Sequence, residues 1–211
     1  MIIKKRRSFV RNSLSLITFL TSLILSHSIG EIFYNSIDGT DFYRYFRYIE
    51  YFMGEIEAPT REQGLFYFWI ISLFIKFSQN FYVSENWEYI YSTAIQLGNF
   101  AFYLVGILGL ICLLRSRKVA WEKIFLVLSV LNFFPPLFGG RLIMKPEILA
   151  FAFLPWIILA IDNYLEKQNY FSLIYASLLL SIIATSKGTV ALITFVSLGI
   201  LYFSKIKLFK I

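Results

Sequence analysis

The chain has almost none of the residues on which soluble enzymes build their chemistry. A single cysteine, Cys112, excludes an intrachain disulfide. A single histidine, His27, leaves no material for a His-rich metal site or for a choice of Ser/His pairs. Charged residues make up only 16% of the chain, too few to coat a soluble domain of this size. No internal repeat and no low-complexity linker divides it. No A-x-A-like cleavage site follows the first apolar run, so that run reads as a retained anchor and not as a removed signal peptide.

What the chain has is hydrocarbon. Of its 211 residues, 58% are hydrophobic and 19% aromatic, and the mean hydropathy is +0.66. Repeated apolar runs of about twenty residues are the mark of helices that cross a bilayer. The net charge of +7 could suggest nucleic acid. The cations instead cluster at the ends of apolar runs, where they set topology, and no nucleic-acid partner is expected. The expected fold is an all-α integral membrane protein: one transmembrane domain over residues 1–211, with about six transmembrane helices, an external amphipathic helix and a short re-entrant or interfacial segment.

The longest stretch that must sit in water or headgroups runs from Glu31 to Gln63. It holds seven of the thirteen carboxylates: Glu31, Asp38, Asp41, Glu50, Glu55, Glu57 and Glu62. Asp38-Gly39 marks a turn, because glycine takes positive φ at little cost. An amphipathic helix is expected from Asp41 to Met53. Phe42, Tyr45, Phe46, Tyr48, Ile49, Phe52 and Met53 share one arc at 100° per residue, and Arg44, Arg47 and Glu50 share the other with Tyr43 and Tyr51. Such a helix would lie on the membrane with its aromatics in the interface, inside an external loop over residues 31–92. Asp41 would cap its N-terminus.

Lys4, Lys5, Arg6, Arg7 and Arg11 place the N-terminus in the cytoplasm ahead of a first span, Leu14 to Ile29. Leu65 to Phe77 is apolar but short, rising only about 20 Å against a hydrocarbon core of ~30 Å. If it does not cross, thirteen cations lie inside and seven outside; if it does, the count becomes nine and eleven. The positive-inside rule prefers the first arrangement, with this segment on the outer face. Later spans follow at Thr93–Leu114, Ala120–Phe138, Ile148–Leu165 with a kink at Pro155, Phe171–Thr185 and Val190–Phe203. Pro135-Pro136 and Gly139-Gly140 should break the Ala120–Phe138 span at the outer surface. His27 reads as an interfacial or packing residue. Gln96 and Asn99 read as polar side chains packing against a neighbouring helix.

This topology gathers Asp38, Asp41, Arg141, Lys145, Glu147 and Lys187 on the outer face from three loops. Cations there could neutralise a departing phosphate, while a carboxylate orients or deprotonates an acceptor. Charges at helix ends also serve merely to anchor depth. Asp41-Phe-Tyr-Arg-Tyr45 resembles the D-x-x-R-Y start of the surface helix in aminoarabinose transferases of lipid A. Ala184-Thr-Ser-Lys-Gly-Thr-Val-Ala-Leu192 resembles their T-K-G-P-x-A segment, with Thr189 where proline is usual. Arg141 to Glu147 occupies the place of the second acidic loop. The order of features is similar to that of the GT-C type of membrane glycosyltransferases, among them protein O-mannosyltransferases and oligosaccharyltransferases.

That resemblance implies transfer of a sugar from a polyprenyl-phosphate-linked donor to an acceptor at the outer face of a bacterial plasma membrane. Asp41 would activate the acceptor, with Asp38 as the fallback and Glu147 as a second acidic group. Arg141, Lys145 and Lys187 would contact phosphate. Membrane lipid would be a partner alongside the donor, while a divalent cation as cofactor and the identity of the acceptor stay open. The family's enzymes are considerably longer, which implies an N-terminal fragment or a short member. A non-catalytic membrane subunit is the first alternative. A transporter component is the second, disfavoured because no ionisable residue falls deep inside the expected spans.

Overall fold

A computed structural model describes residues 2–33, 37, 42–57, 59, 64–81 and 86–208, with side chains placed from residue 10 to residue 202 apart from the gaps. Every regular element among them is helical. The helices are α1 (Ile2–Phe33), α2 (Phe42–Met53), α3 (Phe66–Phe81), α4 (Trp87–Ser116), α5 (Trp121–Leu131), α6 (Pro135–Leu142), α7 (Ile148–Lys167), α8 (Tyr170–Ala184) and α9 (Gly188–Leu208). Three are long and apolar enough to cross a membrane: Val10–Phe33 of α1, then α4 and α7. The pair α5–α6, bent by 63°, makes a fourth if it is one broken span. Helix α8 and the Gly188–Tyr202 stretch of α9 are apolar but shorter than a full span, so among the described residues the count of six is not reached by length and composition.

Side-chain partners fix the helix directions. Arg11 pairs with Glu122 at 3.4 Å, Phe19 stacks on Phe125, and Asn132 donates to Ser22 at 2.7 Å. Helices α1 and α5 are therefore parallel. His27 stacks on Phe100 at 4.2 Å, and α4 runs the opposite way to α1. Tyr103 stacks on Phe151, the Trp156 indole donates to the Val105 carbonyl, and Arg117 pairs with Asp162, which makes α7 parallel to α4. Asn163 meets Ser172 at one end of α7 and Glu147 meets Lys187 at the other, so α8 returns. Tyr202 then brings α9 back to Asp162 at 3.0 Å. The two ends of the bundle are called here the Arg117 end and the Lys187 end.

Close helix contact rests on glycine at the α4–α7 seam. A Cβ at Gly106 would lie 2.5 Å from the Phe151 ring, and one at Gly109 would lie 2.7 Å from the Trp156 nitrogen. Small residues let backbones approach where lipid supplies no hydrophobic drive.

The amphipathic arc of α2 is real but faces protein. Phe42, Tyr45, Tyr48 and Ile49 are buried, with Tyr48 stacked on Phe68 at 4.9 Å and Phe46 against Tyr91. The expectation that these aromatics sit in a lipid interface is thus revised: α3 and α4 supply the apolar surface they need. Helix α3 runs alongside α4 with Tyr67 opposite Asn99 and Ile71 opposite Gly98. It is not among the helices long and apolar enough to cross.

The break after α5 also differs from expectation. Pro135-Pro136 opens α6, because proline at the first helical positions has no N–H to lose and a preset φ. Gly139 and Gly140 lie within α6, and Arg141 is on its last turn and outside the loop.

Candidate functional site

Two polar clusters occupy the Lys187 end. The first joins three segments distant in sequence. Glu147, at the start of α7, and Lys187, between α8 and α9, form an ion pair. Tyr45 of α2 lies within reach of Lys187 and helps to hold its charged form. Burial pulls the Lys187 pKa down, but the hydrogen bond and charge of Glu147, aided by Tyr45, more than offset it, and the net shift is upward. Lys187 is therefore charged at neutral pH. The other carboxylate oxygen of Glu147, Oε2, is buried without a hydrogen-bond partner.

Beneath the pair lies Tyr67, fully buried on the first turn of α3. Its hydroxyl donates to Asn99 Oδ1 at 2.7 Å and is within hydrogen-bonding reach of the Lys145 backbone. Complete burial raises its pKa, against the opposing pull of the Asn99 hydrogen bond, and the phenol stays neutral. Asn99 in turn donates to the Ile143 carbonyl at 2.8 Å, holding the α6–α7 loop to α4. Asn99 lies twelve residues into α4 from Trp87, so the cluster is recessed by ~18 Å from that helix end. Nearer that end, a cavity of about 350 Å³ is lined by Glu31, Asn86, Glu88, Tyr89 and Ser92.

A backbone contact locks the cluster. The Gly64 N–H donates to the Ser186 carbonyl at 3.1 Å, next to Lys187. A Cβ at Gly64 would lie 1.3 Å from the Thr185 carbonyl oxygen, so only glycine allows the approach.

The second cluster centres on Arg141, which is 2% exposed. Its guanidinium lies 4.5 Å from the Tyr103 ring centre and 5.5 Å from that of Phe138. Its Nη2 donates to the Asn132 carbonyl at 3.0 Å, across the α5–α6 break. Nε and Nη1 are buried with no hydrogen-bond partner. Asn132 is the hub: its Oδ1 accepts from Tyr103 at 2.7 Å and its Nδ2 donates to Ser22 at 2.7 Å.

Of the residues picked from the sequence, then, Glu147 and Lys187 come together, and the Lys145 backbone joins them through Tyr67. The Lys145 side chain is exposed. Arg141, expected as a phosphate contact on the outer face, is instead buried at the α5–α6 break among aromatic faces, because α6 carries it into the bundle. Asp38 and Asp41 lie outside the described residues. Among the described residues no group of three His, Cys, Asp or Glu side chains is placed to hold a metal ion.

Comparison with family models, with curated proteins and with solved structures finds no match.

Tyr45, Tyr67 and Asn132 were missed as site or network residues. In an apolar arc or run a tyrosine reads as apolar surface, and its hydroxyl gives no separate signal. Asn132, a lone amide in the apolar run from Ala120 to Phe138, was legible as a polar group needing a partner at membrane depth.

Proposed function

We propose that the chain is a membrane transferase, or part of one, that moves a sugar from a polyprenyl phosphate to an acceptor at the Lys187 end. The observation that carries this reading is the meeting of Glu147 and Lys187 with Tyr45, four residues after Asp41, at one end of the bundle. The acceptor oxygen or nitrogen attacks the anomeric carbon, and the bond from that carbon to the phosphate oxygen breaks. The electron pair leaves with the polyprenyl phosphate, and Asp41 takes the acceptor proton. Lys187 exchanges Glu147 for the leaving phosphate, and Lys145 adds a second positive charge from the surface. Glu147 holds Lys187 in place until the donor arrives.

The test uses this chain, and any longer reading frame that contains it, in nanodiscs with radiolabelled polyprenyl-phosphate sugars. Release of polyprenyl phosphate is followed by thin-layer chromatography. Loss of general-base assistance costs about 10²–10⁴-fold in rate, so Asp41→Asn should lose most turnover at unchanged protein level. Lys187→Met should lose turnover and donor binding together. Turnover no higher than in empty nanodiscs across the donor set, or full activity in both variants, refutes the proposal.

A further inference from the structure

The two flanks of the bundle have different apolar lengths. On the α1–α5 flank, Arg11–Glu122 marks one end, and Gly30 packed against Leu142 marks the other. Nineteen residues of α1 separate them, ~28 Å of rise and close to a hydrocarbon core of ~30 Å. On the opposite flank, Asp162 is paired to Arg117 at one end of α7, and Glu147 is paired to Lys187 at the other. Helix α7 has 20 residues and is long enough to cross, but only fifteen separate these two paired carboxylates, ~22 Å. Helix α8 gives the same span over its 15 residues. Helix α9 continues past this level, from Gly188 to Leu208, and its Tyr202 hydroxyl reaches Asp162 on the way. Helix α8 and the stretch of α7 between its paired carboxylates thus agree on a shortfall of ~8 Å.

Three adjustments relieve such a mismatch: snorkelling, association with other helices, or thinning of the bilayer. Tilting shortens a helix's reach further. Snorkelling by Lys187 is opposed by Glu147 and Tyr45, which hold its ammonium. The outward faces of α8 and α9 carry Ile174, Leu178, Ile193, Phe195 and Ile200, exposed and apolar, as a lipid-facing surface should be. Their ends at this face are Thr185, Lys187 and Thr189, and exposed Lys145 lies two residues before Glu147, the partner of Lys187. These are groups that suit phosphate and water.

The geometry points to a thinned bilayer along the α7–α8–α9 flank, where lipid headgroups at the Lys187 end sink to the level of Lys145 and Lys187. The partner is the phosphate-bearing lipid surface itself. The inference rests on helix lengths and end charges and is independent of the transfer reading. If that reading also holds, the thinning brings a lipid-linked phosphate to the recessed cluster without lifting the lipid from the membrane.

The test places nitroxide labels at Asn169→Cys, Leu178→Cys and Thr189→Cys, one at a time, in a Cys112→Ser background. The protein is reconstituted in phosphatidylcholine bilayers, and each label is read against oxygen and a water-soluble nickel complex. Asn169 and Thr189 should both read headgroup depth, with Leu178 in hydrocarbon between them. If either end label reads hydrocarbon depth, or is shielded from both reagents by a neighbouring copy, the proposal fails. A second measurement varies acyl length from 14 to 22 carbons. Thermal stability should peak in the shorter lipids, and a peak in the longest would overturn the inference independently of the labels.

Discussion

The contact between Gly64 and the α8–α9 turn gives the sharpest prediction. In Gly64→Ala the new methyl would sit 1.3 Å from the Thr185 oxygen and 1.9 Å from its carbon. Ordinary van der Waals contact begins at 3.4 Å, so the two backbones must part by 2.1 Å, the difference between 3.4 and 1.3. Neither atom belongs to a side chain that can swing away. The Gly64 N–H to Ser186 bond, now 3.1 Å, cannot survive that displacement. Overpacking costs about 1–3 kcal/mol and the lost hydrogen bond about 1 kcal/mol, together about 2–4 kcal/mol. For a chain of this size that corresponds to a fall in Tm of about 4–16 °C. The assay is thermal unfolding in detergent micelles, with Gly139→Ala as control. Gly139 lies inside α6 with nothing within 4 Å, so alanine there should be neutral or slightly stabilising. A Gly64→Ala protein melting within 1 °C of the parent would refute the placement of this segment.

Asn132→Ala removes the acceptor of Tyr103 and the donor to Ser22, both in the buried interior. It should destabilise by about 1–3 kcal/mol; Tyr103→Phe in the same background should then add less than it does alone, and full additivity would deny the link. Tyr67→Phe leaves Asn99 Oδ1 without its donor and should cost about 1 kcal/mol in unfolding while sparing the α4–α7 seam. The Lys187 pair has a definite pH signature. Its folded pKa is raised, so its contribution is complete below the unfolded lysine value of about 10.4 and is lost as pH rises through the folded value. The difference in Tm between the parent and Lys187→Met should stay level from pH 7 to 10 and shrink above that. Its disappearance below pH 9 would contradict the pairing.

Local pattern determined much of this protein before any fold was known. Apolar run length marked α1, α4 and α7 as spanning helices, because a bilayer demands about 20 residues of satisfied backbone whatever the helix packs against. The 3.6-residue period identified the buried arc of α2, since a helix presents the same face to lipid or to protein. That ambiguity is why the sequence could not say which of the two covers it. The tertiary structure decided that α3 and α4 do, through Phe68 and Tyr91. It also decided that Pro135-Pro136 starts a helix, which carries Arg141 into the bundle and away from the surface. Only the fold joins Asn132 to Ser22 across 110 residues and Glu147 to Lys187 across 40. Such pairs depend on helix direction and register, set by how glycines and aromatics interlock along whole seams, and no short stretch of sequence contains that information.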